Sequence, residues 1–350
     1  MMAPGTKPRH ALPVLAEPRG ESIVDRLSER QDRLHVSIGA VCNNNCIFCM
    51  EEDRDARYTN NSAMTAERVR WQLERHRGAE EVCFTSGEPT TRPELPQFVE
   101  WARELGFRRI SIMTNGRRLG HAPYAAALAK RGMNRFYVSI HGHTAQLHEG
   151  LTRTPDSFEQ TVAGLDSIAR LKRFGVELHT STVVTKRNLP HLGEIYRFLR
   201  DHGVDVVVFN VMQANGRGNT FFEQLFPRYT EIAAQFRAFL ADEGEAQAVL
   251  VDIPLCTTEG IPDFNRGYVE KCAHYDVYEN AVLENFDRDA ATVNEGGAGD
   301  GLVLVDRSDL DGAKRTKREA CRACRYDASC EGVWYNYTRR YGWDELEPVP

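Results

Sequence analysis

No apolar run in this chain approaches the ~18 residues that a membrane-spanning helix needs, so no membrane partner is expected. Positive charge is not in surplus either: 44 Lys and Arg face 50 Asp and Glu, a net charge of −6. That balance gives no electrostatic reason to expect nucleic acid. The first 20 residues hold neither a continuous apolar stretch nor an amphipathic helix, because Pro4, Pro8, Pro13 and Pro18 interrupt both. A secretory or transit signal is therefore not expected, and the chain reads as cytoplasmic. There is no P-loop, nucleophile elbow, zinc-protease helix motif or internal repeat, which sets aside the chemistries those motifs carry. What is present is an ordinary globular composition, 41% hydrophobic and 27% charged, over 350 residues. That length admits one large domain or two modest ones.

Cysteine departs from the ordinary. The nine cysteines, at 42, 46, 49, 83, 256, 272, 321, 324 and 330, are many for a reducing compartment. Eight of them fall into two groups. Without a secretory signal, clustered cysteines read as metal ligands before disulfides.

Residues 1–30 read as a flexible arm, and a regular alternation follows. Leu34, Val36, Ile38 and Ala40 alternate with His35, Ser37 and Gly39, the period of a strand that ends at Cys42. A helix is expected over 65–77, a strand over 81–85 and a helix opened by Pro93. Strands follow at 110–113, 136–140, 176–184 and 204–212. The helices between them lie over 123–131, from Asp156 (with Glu159, a capping box) to about Gly175, and along Leu192, Ile195, Tyr196 and Leu199. Six strand–helix units with right-handed crossovers make an α/β fold, a partial (β/α)6 barrel like a TIM barrel missing two units. The rhythm ends near 245. Strand-like 249–253 and 302–305 flank a Gly-rich stretch, so 246–350 reads as a small α+β extension beside a barrel at 31–245.

Cys42-Asn43-Asn44-Asn45-Cys46-Ile47-Phe48-Cys49 is a C-x3-C-x2-C group at the carboxyl end of the first strand, where active sites of parallel α/β barrels gather. Three closely spaced thiolates can hold three irons of a [4Fe–4S] cluster, which ordinarily takes four, and the fourth iron is then open. Structural zinc is the alternative, but 50–60 offers no fourth Cys or His.

This spacing, with aromatic Phe48 before the third cysteine, resembles the signature of radical S-adenosylmethionine (SAM) enzymes. The resemblance implies that SAM chelates the open iron and is cleaved by one electron to methionine and a 5′-deoxyadenosyl radical, which abstracts a substrate hydrogen. A flavodoxin- or ferredoxin-type donor would supply that electron. Ser86-Gly87-Glu88-Pro89 resembles the Gly-Gly-Glu-Pro motif that binds the SAM amino group, with Ser86 where Gly is usual. Gly87 would let the backbone approach closely and Glu88 would supply a carboxylate for the ammonium. By the same resemblance Asn115, Ser139, Thr182, Asn188 and Val211 are expected to contact SAM, and Asn215-Gly216-Arg217-Gly218 resembles a common turn after the sixth strand.

The second group, Cys256, Cys272 and Cys321-x2-Cys324-x5-Cys330, suits zinc or iron–sulfur equally on spacing alone. It resembles the SPASM and twitch extensions that hold auxiliary iron–sulfur clusters, although Trp334 stands where the full pattern has a further Cys. Five cysteines suffice for one auxiliary cluster, expected on Cys256, Cys272 and two of Cys321, Cys324 and Cys330. Two smaller features stay ambiguous: His141, His143 and His148 suggest a metal site that the cysteines already account for, leaving His141 and His143 as loop residues or substrate contacts, and the basic run Lys314, Arg315, Lys317, Arg318 is a solvated face or an anion site.

Three functions compete. One is radical chemistry on a small metabolite, with an oxidative, dehydrogenase-like outcome favoured over a redox-neutral epimerase or decarboxylase reaction. A second is maturation of a ribosomally made peptide, less favoured because the ~33 residues before the first strand are Pro-rich and leave no room for a leader-binding domain. The third is an iron–sulfur electron carrier, which would need no SAM pocket.

Overall fold

The computed structural model describes residues 33–50, 64–266, 315–350 and, as paired strands only, 272–279, 293–294 and 302–306. The expected N-terminal arm and the Gly-rich 295–301 lie outside the described residues.

Six strand–helix units build the barrel. Strands β1 (Arg33–Ser37), β2 (Glu81–Thr85), β3 (Arg109–Thr114), β4 (Arg135–Ser139), β5 (Glu177–Val184) and β6 (Val206–Val211) pair in parallel in that order. Between them run α1 (Ala66–Arg75), α2 (Leu95–Glu104), α3 (Ala122–Arg131), α4 (Ala145–Thr152), α5 (Ser157–Ala169) and α6 (Leu192–Asp201). Their apolar stripes face the sheet, as with Leu95, Phe98, Val99 and Ala102 of α2, all buried. The first strand is shorter than the alternation suggests, because the chain leaves the sheet after Ile38, whose N–H donates to Thr85 O at 3.1 Å.

The structure departs from expectation in four places. Helix α2 starts at Leu95, with Pro96 rather than Pro93 in its first turn. Asp156 caps nothing: its φ is +59° and its side chain makes no capping bond, while Glu149 Oε1 of α4 accepts from Phe158 N at 3.3 Å. Helix α4 was not foreseen; its eight residues are short for the periodicity to register, and Thr144 Oγ1 caps it. Lastly, the sheet does not stop at six strands. Residues Ala248–Val251 add β7 parallel to β6, and Cys272–Glu279 add β8 parallel to β1. Then β9 (Val293–Asn294) and β10 (Leu302–Asp306) continue antiparallel, in the order β8-β10-β9. The strands expected in a separate appendage thus belong to one ten-stranded sheet.

After β6 come α7 (Gly216–Thr220), α8 (Phe222–Leu225) and α9 (Tyr229–Glu243), and near the end of the chain α10 (Tyr335–Tyr341). Tyr337 of α10 is fully buried, its ring centroid 4.2 Å from that of Tyr229 and 5.2 Å from that of Phe226. The C-terminal segment therefore shares the barrel's core.

At the amino end of the strands the barrel interior is closed by charge. Glu81 Oε2 lies 3.2 Å from Arg33 and 3.0 Å from Arg135, with Ser111 Oγ donating to Oε1 at 2.7 Å. Arg135 also reaches Glu177 at 2.5 Å. Burial would push the Glu177 carboxyl up, but the His179 hydrogen bond and the Arg135 charge hold it well below the usual range. Such a network stabilises only while complete, since removing one partner strands a buried charge. Arg135→Met is expected to destabilise the apoprotein by about 3–5 kcal/mol, read as a lowered midpoint in urea unfolding.

Candidate active site

The loop after β1 carries Cys42, Cys46 and Cys49 across the carboxyl end of the barrel, and its neighbours come from four strand ends. Glu88 follows β2. Its carboxylate is 2% exposed: Oε1 accepts from Thr90 N (3.0 Å), Thr90 Oγ1 (2.5 Å) and Thr114 Oγ1 (2.6 Å), and Oε2 accepts from Asn115 N (2.6 Å). Glu88 N in turn donates to Val41 O at 2.8 Å. Gly87 permits this approach, since at φ +57° a Cβ there would stand 2.6 Å from Val41 O. Ser86 also has positive φ, +71°, a costly conformation for a residue with a side chain.

Three asparagines separate Cys42 from Cys46, and each side-chain oxygen has a donor. Asn43 Oδ1 accepts from Asn115 Nδ2 (2.6 Å), Asn44 Oδ1 from Arg117 Nη1 (3.0 Å) and Asn45 Oδ1 from Arg217 Nη1 (2.6 Å). The backbone is tied to the end of α4, with Asn45 N on Thr152 O and Ile47 N on Leu151 O, both at 3.0 Å. Those carbonyls lack partners within the helix. Across the loop, Gly216 allows the turn after β6 to pass beneath: a Cβ there would lie 2.5 Å from Met50 O. Cys46 is half-buried, and desolvation followed by the charges of Cys42 and Cys49 pushes its thiol far up, while Arg217 pulls it down. Thiols grouped in this way ionise together only beside a positive centre.

Other expected contacts divide. Pro89 opens the short turn behind Glu88, Ser139 ends β4 half-buried, and Val211 ends β6. Thr182 and Asn188 do not reach the site by their side chains. Thr182 Oγ1 is buried and donates to Ile140 O at 2.6 Å. Asn188, fully buried, accepts from Thr185 and donates to His141 O and Val183 O. Both fix backbone. His141 and His148 are supports rather than substrate contacts. The edge of Phe48 meets His141 at 4.6 Å between centroids, Val183 N donates to His141 Nδ1, and His141 N donates to His148 Nδ1. Burial keeps His141 neutral, well below its ordinary value, and burial with Arg117 nearby holds His148 at about 4.

A second group of thiols lies in the C-terminal segment. Cys256, Cys321, Cys324 and Cys330 line one pocket, open to solvent, with Trp343, Leu346 and Pro348. Burial, then Cys330, Cys324 and Cys321, push the Cys256 thiol up to about 12. Backbone donors already aim at two sulfurs, Val349 N at Cys324 and Gly332 N at Cys330, both 3.4 Å. Cys272, the other expected ligand, opens β8 opposite Arg33, at the amino end of β1, and its side chain lies outside the described residues. The basic run is no anion site in its described part. Arg315 meets Asp252 and Glu331, Lys317 meets Asp327 and Arg318 meets Glu347.

Residues 36–199 match the radical SAM superfamily. That stretch, from β1 to α6, is the part of the barrel that carries the similarity. A probable GTP 3′,8-cyclase of Sulfurisphaera tokodaii is 28% identical over 203 residues, 57% of this chain and 62% of that protein. An AdoMet-dependent heme synthase of Oleidesulfovibrio alaskensis is 29% identical over 160 residues, 45% and 40% of the two chains. The chain thus spans under two thirds of the length of these relatives. Streptococcus suis SuiB bound to S-adenosylmethionine shares the fold, with a TM-score of 0.56 over 93% of this chain and 79% of that one at 15% identity.

Radical SAM enzymes use SAM with a [4Fe–4S] cluster, and the residues present fit that pair. Three thiols in one loop leave an iron without a protein ligand, beside a glycine-lined backbone edge and a buried carboxylate. Among the described residues no three His, Cys, Asp or Glu converge on one point, as a single metal ion requires. A cluster instead gives each thiolate its own iron. Because Glu88 holds four internal donors, Glu88→Gln turns a hydrogen-bonding amide toward them. It is expected to lower the stability of the cluster-free, SAM-free protein by about 1.5–3 kcal/mol, measured by urea unfolding, beyond any loss of SAM affinity.

Proposed function

We propose that this enzyme removes a hydrogen atom from a small-molecule metabolite and oxidises the product through an auxiliary iron–sulfur cluster. The gathering of Cys256, Cys321, Cys324 and Cys330 around one cavity carries this reading. Four thiolates complete a four-iron cluster, so such a centre has no open iron for substrate and suits electron transfer.

When reduced, the cluster on Cys42, Cys46 and Cys49 supplies the electron that splits SAM into methionine and a 5′-deoxyadenosyl radical. The protein's own groups position the partners. Gly87 would offer backbone to the SAM amino group, the Ser139 and Val211 strand ends would meet its ribose or carboxylate and its adenine, and Glu88 ties the end of β3 to the turn after β2. The balance is then simple. The substrate gives one hydrogen atom to form 5′-deoxyadenosine, one electron to the C-terminal cluster and one proton to solvent. A flavodoxin- or ferredoxin-type donor provides the first electron.

The relatives' names, a GTP cyclase and a heme synthase, concern small molecules rather than peptides, which supports that substrate class. Anaerobically reconstituted protein is expected to hold about 8 Fe per chain, falling to about 4 when Cys42, Cys46 and Cys49 become Ala. 5′-Deoxyadenosine release should cease in that variant. Stoichiometric zinc on the C-terminal cysteines, or a redox-neutral product carrying one solvent deuterium, would overturn the oxidative reading.

A further inference from the structure

The spacer between Cys42 and Cys46 is gripped from two sides of the barrel. From the end of β3, Arg117 donates to Asn43 O (2.5 Å) and Asn44 Oδ1 (3.0 Å), its Nε held by Gln160 Oε1 at 2.8 Å. From the turn after β6, Arg217 donates to Asn45 Oδ1 (2.6 Å) and Asn45 O (3.3 Å), and its own N–H donates to Cys49 O at 2.9 Å. Each guanidinium thus meets the loop through one terminal nitrogen, Nη1, which donates to two acceptors while the planar group holds it in place. Neither arginine has an acidic partner among the described ion pairs. Two positive charges therefore face a loop whose occupant, with three thiolates, is anionic.

We propose that Arg117 and Arg217 are positioning residues that stake the cluster loop between β3 and β6, and that their charges make the cluster held there easier to reduce. The proposal rests on reading Cys42, Cys46 and Cys49 as cluster ligands. Staking fixes the loop before the cluster arrives, so little ordering remains to be done on loading. The charge acts on reduction because the added electron makes the cluster more negative, and a nearby cation in a partly buried site favours that state.

The test separates grip from charge. In the apoprotein, hydrogen exchange at 42–50 is expected to speed up at least tenfold in Arg217→Gln and Asn45→Ala, which lose the short bond to Asn45 Oδ1, and less in Arg217→Lys, which keeps a charged donor. In the reconstituted full chain, the midpoint potential of the cluster whose EPR spectrum responds to SAM should move negative in Arg217→Gln and Arg117→Gln. It should move clearly less in Arg217→Lys and Asn45→Ala, which keep the charge. An unchanged potential in both Gln variants overturns the electrostatic part, and unchanged exchange in all variants overturns the staking. If instead the SAM-responsive signal survives conversion of Cys42, Cys46 and Cys49 to Ala, the cluster assignment itself is what fails.

Discussion

The carboxylate of Glu88 is the point on which the carboxyl end of the barrel depends. It accepts four hydrogen bonds from two strand ends in a site almost closed to water, where an unmet donor would cost more than the net gain of any single bond. From it the order passes outward. Asn115, whose N–H rests on Glu88, holds Asn43, and Asn43 begins the spacer between the first two loop cysteines. A carboxylate expected to greet an external ammonium turns out to be the internal anchor from which β3 and the cysteine loop take their positions. The two roles are compatible, because an ionised carboxylate has about four lone-pair sites and only one internal donor reaches Oε2.

The two ends of the barrel solve opposite problems. At the amino end, Arg33, Glu81, Arg135 and Glu177 neutralise one another at contact distance. At the carboxyl end the polar groups are instead spent on backbone: Thr182 on Ile140, Asn188 on His141 and Val183, Arg117 and Arg217 on the spacer. That leaves loops held rigidly around a space, which is how a site reaches a preorganised geometry. Helix α4 joins this scheme through its unsatisfied last carbonyls, which take the N–H groups of Asn45 and Ile47.

The strands of the barrel were legible because buried parallel strands are written in period-2 or continuous apolar runs, and β2, β4 and β6 fall within a residue or two of where those runs lie. The cysteine groups were legible because metal-binding spacing is local. What could not be read was non-local. Nothing in 249–253 or 302–305 says which sheet edge it will join, so their pairing into the barrel's own sheet was not legible. Short helix α4 and the failed cap at Asp156 were settled by tertiary contacts, Glu149 taking the capping bond. Thr182 and Asn188 carried the right residue types at the right strand ends, but chain position does not reveal which way a hydroxyl or amide turns. Three consecutive asparagines between two cysteines were the one overlooked signal, since short polar side chains of this kind hold turns.

The turn after β6 connects the two cysteine regions physically. Gly216 and Arg217 lie under and beside the first loop, while two residues on, Asn219 accepts from Arg340 at 2.8 Å, and Ala214 O accepts from Asn336 at 2.9 Å. Both partners belong to α10, which begins five residues after Cys330. The same helix buries Tyr337 against Phe222, Phe226 and Tyr229, so it cannot shift without disturbing the barrel's core. The segment carrying Cys321, Cys324 and Cys330 is thereby fixed relative to Cys42, Cys46 and Cys49 through one turn and one short helix. A fixed separation is what electron transfer between two centres requires, and a hinged extension would not supply it.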